Sequence, residues 1–473
     1  MNPICPSKLF IFVQSVIIMT GKELIAKAMK LEPLSSVPWV PFVGVHGASL
    51  AGVDSESYLN SKELIVRGVS SAIEIYKPDG IPVLFDLQLE AEALGCRVVW
   101  AKSNPPSVIG HPLTEGVDIT DLKIPSKESG RIAVALEAVK EISELYPEVA
   151  IYGLVTGPFT LGLHLLGTDI FMQMFMDEFY VYDLMEFCSG VAKKMSDYYI
   201  EAGCDVIAIV DPMVSQIGTE QFDKFVCGYA TGIFDHIRER GVLSSFFVCG
   251  DAQHNIESMC RCRPDNISVD ENISLGYVRD IALEQGVSFG GNLKLTSTLL
   301  FGDETDCEKD AVECMEIGGS RGFILSPGCD LPYSTVVNNL KAVSEIVKNG
   351  YRREVVKAMM DEGNSELSFE DEQDYILKDD PDGPLKIDVI TLDSASCAPC
   401  QYMMSAVLRA AEPFGERVVV TEYKIKERSG LIMMKRLGVK KIPTICIAQD
   451  VVFSSNIPPV DQIYNSIYER LKH

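Results

Sequence analysis

Basic residues are scarce in this chain: 42 Lys and Arg stand against 67 Asp and Glu, leaving a net charge of −25. A surface of that sign repels nucleic acid and anionic membranes, so no nucleic-acid or membrane partner is expected, and a polyanionic substrate would need a local basic pocket. The apolar stretch Leu9 to Met19 is broken by Gln14 and Ser15 and is too short to span a bilayer. It also lacks the small-residue cleavage site of a secretory signal. Residues 1–19 therefore read as a disordered extension ahead of an internal start at Met19. No internal repeat or low-complexity tract stands out. Cysteine is plentiful, at 14 residues, but what is missing is the regular spacing of a disulfide framework. Several cysteines (Cys188, Cys204, Cys314) sit inside apolar helical patterns, which fits reduced thiols in a cytoplasm.

What the chain does contain is enough apolar sequence for a large core: 473 residues, 47% hydrophobic, sufficient for more than one domain. Eight short apolar runs are predicted as strands: Val37 to Val45, Gly80 to Asp86, Val149 to Val155, Asp205 to Asp211, Leu243 to Cys249, Asn266 to Asp270, Val287 to Asn292 and Gly322 to Ser326. Most lack alternation, as strands covered on both faces do. Helical patterns alternate with them, at Ser61 to Tyr76, Ser129 to Glu144, Asp177 to Ala202, Thr219 to Arg240, Leu275 to Gln285 and Cys307 to Gly318. This order predicts an α/β fold, a (β/α)8 TIM barrel over residues 20–350. Insertions near 97–123 and 157–176 are expected as loops and short helices over its mouth.

Active sites of such barrels gather at the carboxyl ends of the strands, which here deliver His46, Asp86, Thr156, Asp211, Cys249, Asp270, Asn292 and Cys329. Two thiols eighty positions apart would meet at one rim. Such a pair, completed by imidazole or carboxylate, suits zinc with an open position for a substrate thiol, and the chemistry implied is alkyl transfer to sulfur. The plainer reading is that both cysteines pack as small apolar side chains. Glu90 and Glu92 lie just past Asp86, and for Glu90 a solvated loop face is the preferred reading. His254 opens the helix after the fifth strand. His111, His164 and His236 are expected away from the mouth.

Several segments, Gly157-Pro158-Phe159-Thr160-Leu161-Gly162, Asp211-Pro212-Met213, Val248-Cys249-Gly250, Val269-Asp270-Glu271, Gly291-Asn292 and Ser326-Pro327-Gly328-Cys329-Asp330-Leu331-Pro332, resemble the uroporphyrinogen decarboxylase superfamily. They look closest to its methylcobamide:coenzyme M methyltransferase branch, as does Asp86-Leu87-Gln88-Leu89-Glu90-Ala91-Glu92. The resemblance implies a zinc held by a His-x-Cys pair and a later Cys, which activates a thiol to take a methyl group from a corrinoid. Cys249 and Cys329 are then the metal ligands, Asp86, Asp211 and Asp270 shape the catalytic mouth, and His46, Glu92 and Asn292 are substrate-binding candidates. The histidine position, two before Cys249, is Phe247 here, so a third ligand would have to come from His46, Asp251, His254, Asp211 or Asp270. No Asp-x-His-x-x-Gly cobalamin pattern occurs, so the corrinoid is expected on a partner protein, with a small-molecule methyl acceptor, and a homodimer is compatible. Decarboxylation of uroporphyrinogen is the alternative activity, disfavoured because no arginine precedes Arg67 to bind eight carboxylates.

Residues 351–385 read as an acidic linker ending in Asp379-Asp380-Pro381-Asp382-Gly383-Pro384. Residues 386–473 then form a second unit that resembles thioredoxin-like domains: Cys397-Ala398-Pro399-Cys400 after a strand, and Ile442-Pro443-Thr444 as a cis-proline loop. A helix amino terminus is expected to lower the Cys397 thiol pKa, making Cys397 the attacking and Cys400 the resolving sulfur. A metal-free redox or scaffold protein is the reading from another class, favoured by Phe247.

Overall fold

Seven parallel strands follow one another around a wall, in the order Gly80–Pro82, Ala150–Thr156, Val206–Val210, Leu243–Val248, Asn266–Val269, Ser288–Leu293 and Phe323–Pro327. The segment around Trp39 closes the ring in the computed structural model. Trp39 pairs in parallel with Leu325, Leu325 N donates to Pro38 O at 2.9 Å, and Asp79 N donates to Trp39 O at 2.9 Å. The first of the eight expected strands is thus a bridge, because Pro38 and Pro41 remove ladder donors on either side of it. Residues 19–362, 383–395, 397–439 and 442–472 are described. The expected extension over 1–19, save its last residue, and the acidic stretch 363–382 lie outside them.

The strands are buried on both faces, and their alternation divides the core in two. Phe246 and Val248 point outward into the layer beneath the helices, while Phe247 points inward with Phe42, Phe85, Tyr152, Leu154 and Ile324. The same alternation carries Cys249, two residues on, to the inner face at the rim.

Helix ends follow local chemistry. Ser61 caps Lys62–Tyr76 by accepting from Leu64 N, an Asp303–Asp306 capping box opens Glu304–Gly318, and Gly203, at φ 107°, ends Glu178–Ala202. The helix expected over Thr219 to Arg240 is divided by a π turn at Asp223–Cys227. The 97–123 insertion contributes an antiparallel hairpin, Arg97–Val99 with Ser107–Gly110, and the 157–176 insertion forms the helices Pro158–Leu166 and Asp169–Met176. Helix continues past residue 350 as Gly350–Glu362, pinned to the barrel by the Arg352 guanidinium on both oxygens of Glu308 at 2.7 and 2.6 Å. Among the described residues no helix is long and apolar enough to cross a membrane.

The C-terminal unit is a four-stranded sheet in the order Val418–Lys424, Leu385–Thr391, Thr444–Ile447, Asp450–Ser454, the first pair parallel and the others antiparallel. Helices Ala398–Ala411, Arg428–Arg436 and Val460–Arg470 accompany it, and the Ile442–Pro443 bond is cis. The unit rests on the barrel. The Tyr402 hydroxyl donates to Leu163 O at 3.2 Å and its ring stacks on His111, while Asn104 Nδ2 donates to Asp393 at 2.9 Å.

Candidate functional site

A cavity of about 260 Å³ lies at the carboxyl ends of the barrel strands and is roofed by the C-terminal unit. The barrel lines it with Cys249, Cys329, Asp270, Glu271, Asp330 and His164, and the roof with Cys397, Cys400, Lys426 and Pro443. Cys249 directly follows the strand Leu243–Val248, and Gly250, at φ 91°, turns the chain aside. Cys329 comes from the loop after Pro327. Their sulfurs lie 2.8 Å apart, so the two distant thiols do converge at one rim. The hydrogen bond between them, and then burial, pushes the Cys249 thiol well above its usual value.

Three carboxyls surround the pair, Asp270 buried and Glu271 and Asp330 half-buried. Asp270 accepts from Gly250 N and from Asn272 N and Nδ2 at 2.9 and 3.0 Å, tying the Cys249 turn to the next strand, and burial raises it to about 6. Glu271 accepts from Leu295 N at 3.0 Å and lies directly under Gly328, where any Cβ would strike its Oε2. Burial, and then the charge of Asp270, lifts it to about 8. Asp330 accepts from Gly44 N at 2.8 Å and burial raises it to about 8.

Other expected site residues stand beside the cavity without lining it. Asp211 accepts from Phe159 N at 3.1 Å, Thr160 N at 2.8 Å and Thr160 Oγ1 at 2.6 Å, so it caps the helix Pro158–Leu166 instead of shaping the mouth. Asn292 Nδ2 donates to the carbonyls of Asp270 and Ile273 at 3.1 and 2.8 Å, bracing the loop rather than facing a substrate. His46 is fully buried, hydrogen-bonded to Tyr76 Oη at 2.7 Å and Tyr333 O at 3.3 Å, and burial lowers it to about 4. Neither substrate nor metal binding suits it. His254 bonds Ile217 O at 2.9 Å in a separate shallow groove. Asp86 and Glu92 are joined by Arg131, whose Nη1 donates to Asp86 and whose Nε donates to Glu92 at 2.6 Å, beneath the face of Trp100.

Glu90 corrects its expected solvated position: it is 1% exposed and accepts from Thr156 N at 3.1 Å and Thr156 Oγ1 at 2.7 Å. Burial raises it from 4.5 to about 7. Between those values the folded chain holds a proton that the unfolded chain has lost, so stability falls as pH rises through that window. The shift corresponds to about 3 kcal/mol. Glu90→Gln keeps both Thr156 partners and removes the titration. In urea unfolding it should match the wild type near pH 4.5 and exceed it at pH 8, and parallel curves at the two pH values would refute this.

Phe247 occupies the place of the resemblance's histidine and packs with Phe42 and Phe85, ring centroids 5.0 and 5.8 Å away, at 1% exposure. A catalytic zinc takes three protein ligands. Among the described residues no three His, Cys, Asp or Glu side chains come together as ligands. Two sulfurs alone do not fit such an ion.

In the roof, Cys397 is the N-cap of Ala398–Ala411 and Cys400 lies within its first turn, its sulfur accepting from Leu392 N at 3.3 Å. The expected lowering of Cys397 is reversed. Its hydrogen bond with Cys400, and then burial, raises the thiol well above its usual value. Sequence reasoning missed Glu271, Arg131 and His164. His164 lines the cavity, and neither ring nitrogen has a partner among the described residues.

The family described as uroporphyrinogen decarboxylase (URO-D) matches residues 20–350. The chain belongs to that family. It is 29% identical over 337 residues to a methylcobamide:CoM methyltransferase, MtbA, of Methanosarcina acetivorans, covering 70% of this chain and 98% of that protein. A uroporphyrinogen decarboxylase of Anaeromyxobacter dehalogenans is 25% identical over 339 residues, with 68% and 96% covered. A solved methyltransferase structure from Methanosarcina mazei superposes with a TM-score of 0.65 at 25% identity, covering 71% of this chain and all of that one. These matches account for nearly the whole of each relative, while the URO-D match in this chain ends at residue 350, before the dithiol unit begins.

Proposed function

We propose that the barrel transfers a methyl group from a corrinoid carried by a partner protein to a small thiol, coenzyme M being one candidate. The observation that carries this reading is the cavity at the carboxyl ends of the strands, apolar apart from a few convergent polar groups, in a URO-D chain similar to named methyltransferases. Its size suits a small acceptor. Glu271 is positioned to take the proton of the acceptor thiol. The thiolate then attacks the methyl carbon, and the carbon–cobalt electron pair stays on cobalt. Glu271 at about 8 is matched to a thiol near 8.5, the condition for efficient general-base transfer. The thirteen described cysteines are all free, in keeping with a place in the reducing cytoplasm.

Decarboxylation of an octacarboxylate fits poorly, since Lys426 is the one Lys or Arg among the described lining residues. The test mixes the chain with methylcobalamin and thiols of graded size and charge, following the methylcobalamin absorbance and the thioether by mass spectrometry. Demethylation that depends on the thiol supports the proposal; inert methylcobalamin alongside carbon dioxide release from uroporphyrinogen overturns it.

The zinc dependence implied by the resemblance is not part of this proposal, because the donor set is incomplete. Reduced, desalted protein should carry well under one zinc per chain. Residues 247 and 249 share the inner face of one strand, so Phe247→His should raise zinc toward one equivalent. A full equivalent in the wild type, lost in Cys249→Ser, would reinstate zinc.

A further inference from the structure

Four thiols line the cavity, two from the barrel and two from the roof. Cys249 and Cys329 are 2.8 Å apart, and Cys397 and Cys400 line the same cavity from the roof. The roof is seated specifically by the segment that carries its dithiol. The barrel hairpin binds it through Asn104 to Asp393 at 2.9 Å, Ser107 Oγ to Ala395 O and Gln401 Nε2 to Val108 O, and Tyr402 is anchored on Leu163 O. A tether alone would not aim that loop into the barrel mouth.

We propose that Cys397 and Cys400 reduce a Cys249–Cys329 disulfide by exchange within one chain, so that the C-terminal unit is a built-in reductase of the barrel's sulfur pair. The pair is prone to oxidation: a peroxide converts one thiol to a sulfenic acid with loss of water, and its neighbour displaces a second water to form the disulfide. Cys397 attacks one barrel sulfur as its proton passes to the other barrel sulfur, which leaves, so that a mixed disulfide and a free barrel thiol result. Cys400 then attacks Cys397, and its proton goes to the second barrel sulfur. Two electrons and two protons pass from roof to barrel, leaving a Cys397–Cys400 disulfide for an external dithiol to reduce. This inference rests on the sulfur pair as a reactive site, and it is read from thiol linkage without any methyl donor, so its failure and that of the transferase reading are separate.

The test exposes full-length, reduced, chelator-treated protein to one equivalent of hydrogen peroxide, traps thiols by alkylation over time and maps disulfides by mass spectrometry. In the wild type, the Cys249–Cys329 linkage should appear and decay as Cys397–Cys400 accumulates, at a rate independent of protein concentration. In Cys397→Ser the barrel disulfide should persist at least tenfold longer, and in Cys400→Ser a peptide joining Cys397 to Cys249 or Cys329 should be trapped. Equal lifetimes of the barrel disulfide in wild type and Cys397→Ser, or no such peptide in a Cys400→Ser chain of native circular dichroism, would overturn the proposal.

Discussion

Replacing Glu271 with Gln is expected to lower the rate of methyl transfer by about 10²- to 10⁴-fold, the usual contribution of one positioned general base. The substitution is close in shape, and the hydrogen bond from Leu295 N to the carboxyl can pass to an amide oxygen, so the loop carrying Cys329 should keep its place over Gly328. What is lost is the capacity to accept a proton. Because Glu271 titrates at about 8, raised by burial and then by Asp270 and Asp310, the unprotonated, active form grows as pH rises toward and past that value. With an acceptor whose thiol titrates well outside this window, wild-type kcat/KM should therefore climb between pH 6.5 and 8.5 on a limb that Glu271→Gln lacks. A merely structural glutamate would change the height of this profile without removing the limb. Intact turnover in the variant, with the limb unchanged, would leave Glu271 without a chemical role.

Much of this geometry can be read from the chain before any coordinates, and the exceptions have physical causes. Strand alternation and the glycine after Cys249 place that thiol on the inner rim, and a proline–glycine loop brings Cys329 to it, as the spacing of strands suggests. Chain position at a strand end does not tell which group a carboxyl will meet. Asp211 meets the free amides of a helix start and is used there. Asp270 takes the Gly250 and Asn272 amides, while the adjacent Glu271 takes one backbone amide, from Leu295, and keeps chemical capacity. Glu90 looked solvated because it belongs to a short acidic helix, yet the neighbouring strand's Thr156 offers two donors and draws it inward. The docking of the C-terminal unit depends on complementarity between the barrel hairpin and the dithiol segment, about which the acidic stretch between them carries no information.

Arg131 is the clearest residue that no local pattern reveals, since it opens a helix forty-five positions from Asp86, and its replacement by Met should destabilise the barrel by about 3–5 kcal/mol. The reason is asymmetric. Arg131 and Asp86 have side-chain exposures of only 7% and 1%, so removing the guanidinium leaves a carboxylate with its counter-charge gone and little water to replace it. Glu92, one-third exposed, can rehydrate and contributes less to the loss. Met retains part of the contact with Trp100, so the cost reflects charge more than packing. If that account holds, Asp86→Asn in the Arg131→Met background should recover much of the loss, because the stranded charge is gone. Asp86→Asn alone should also destabilise, by leaving part of the guanidinium unpaired, and the double-mutant cycle on urea unfolding should then give a coupling well above the sum of exposed pairs. A coupling near zero would mean that Asp86 is held by Gln88 N at 3.0 Å and its loop, and that Arg131 serves Glu92 and Trp100 alone.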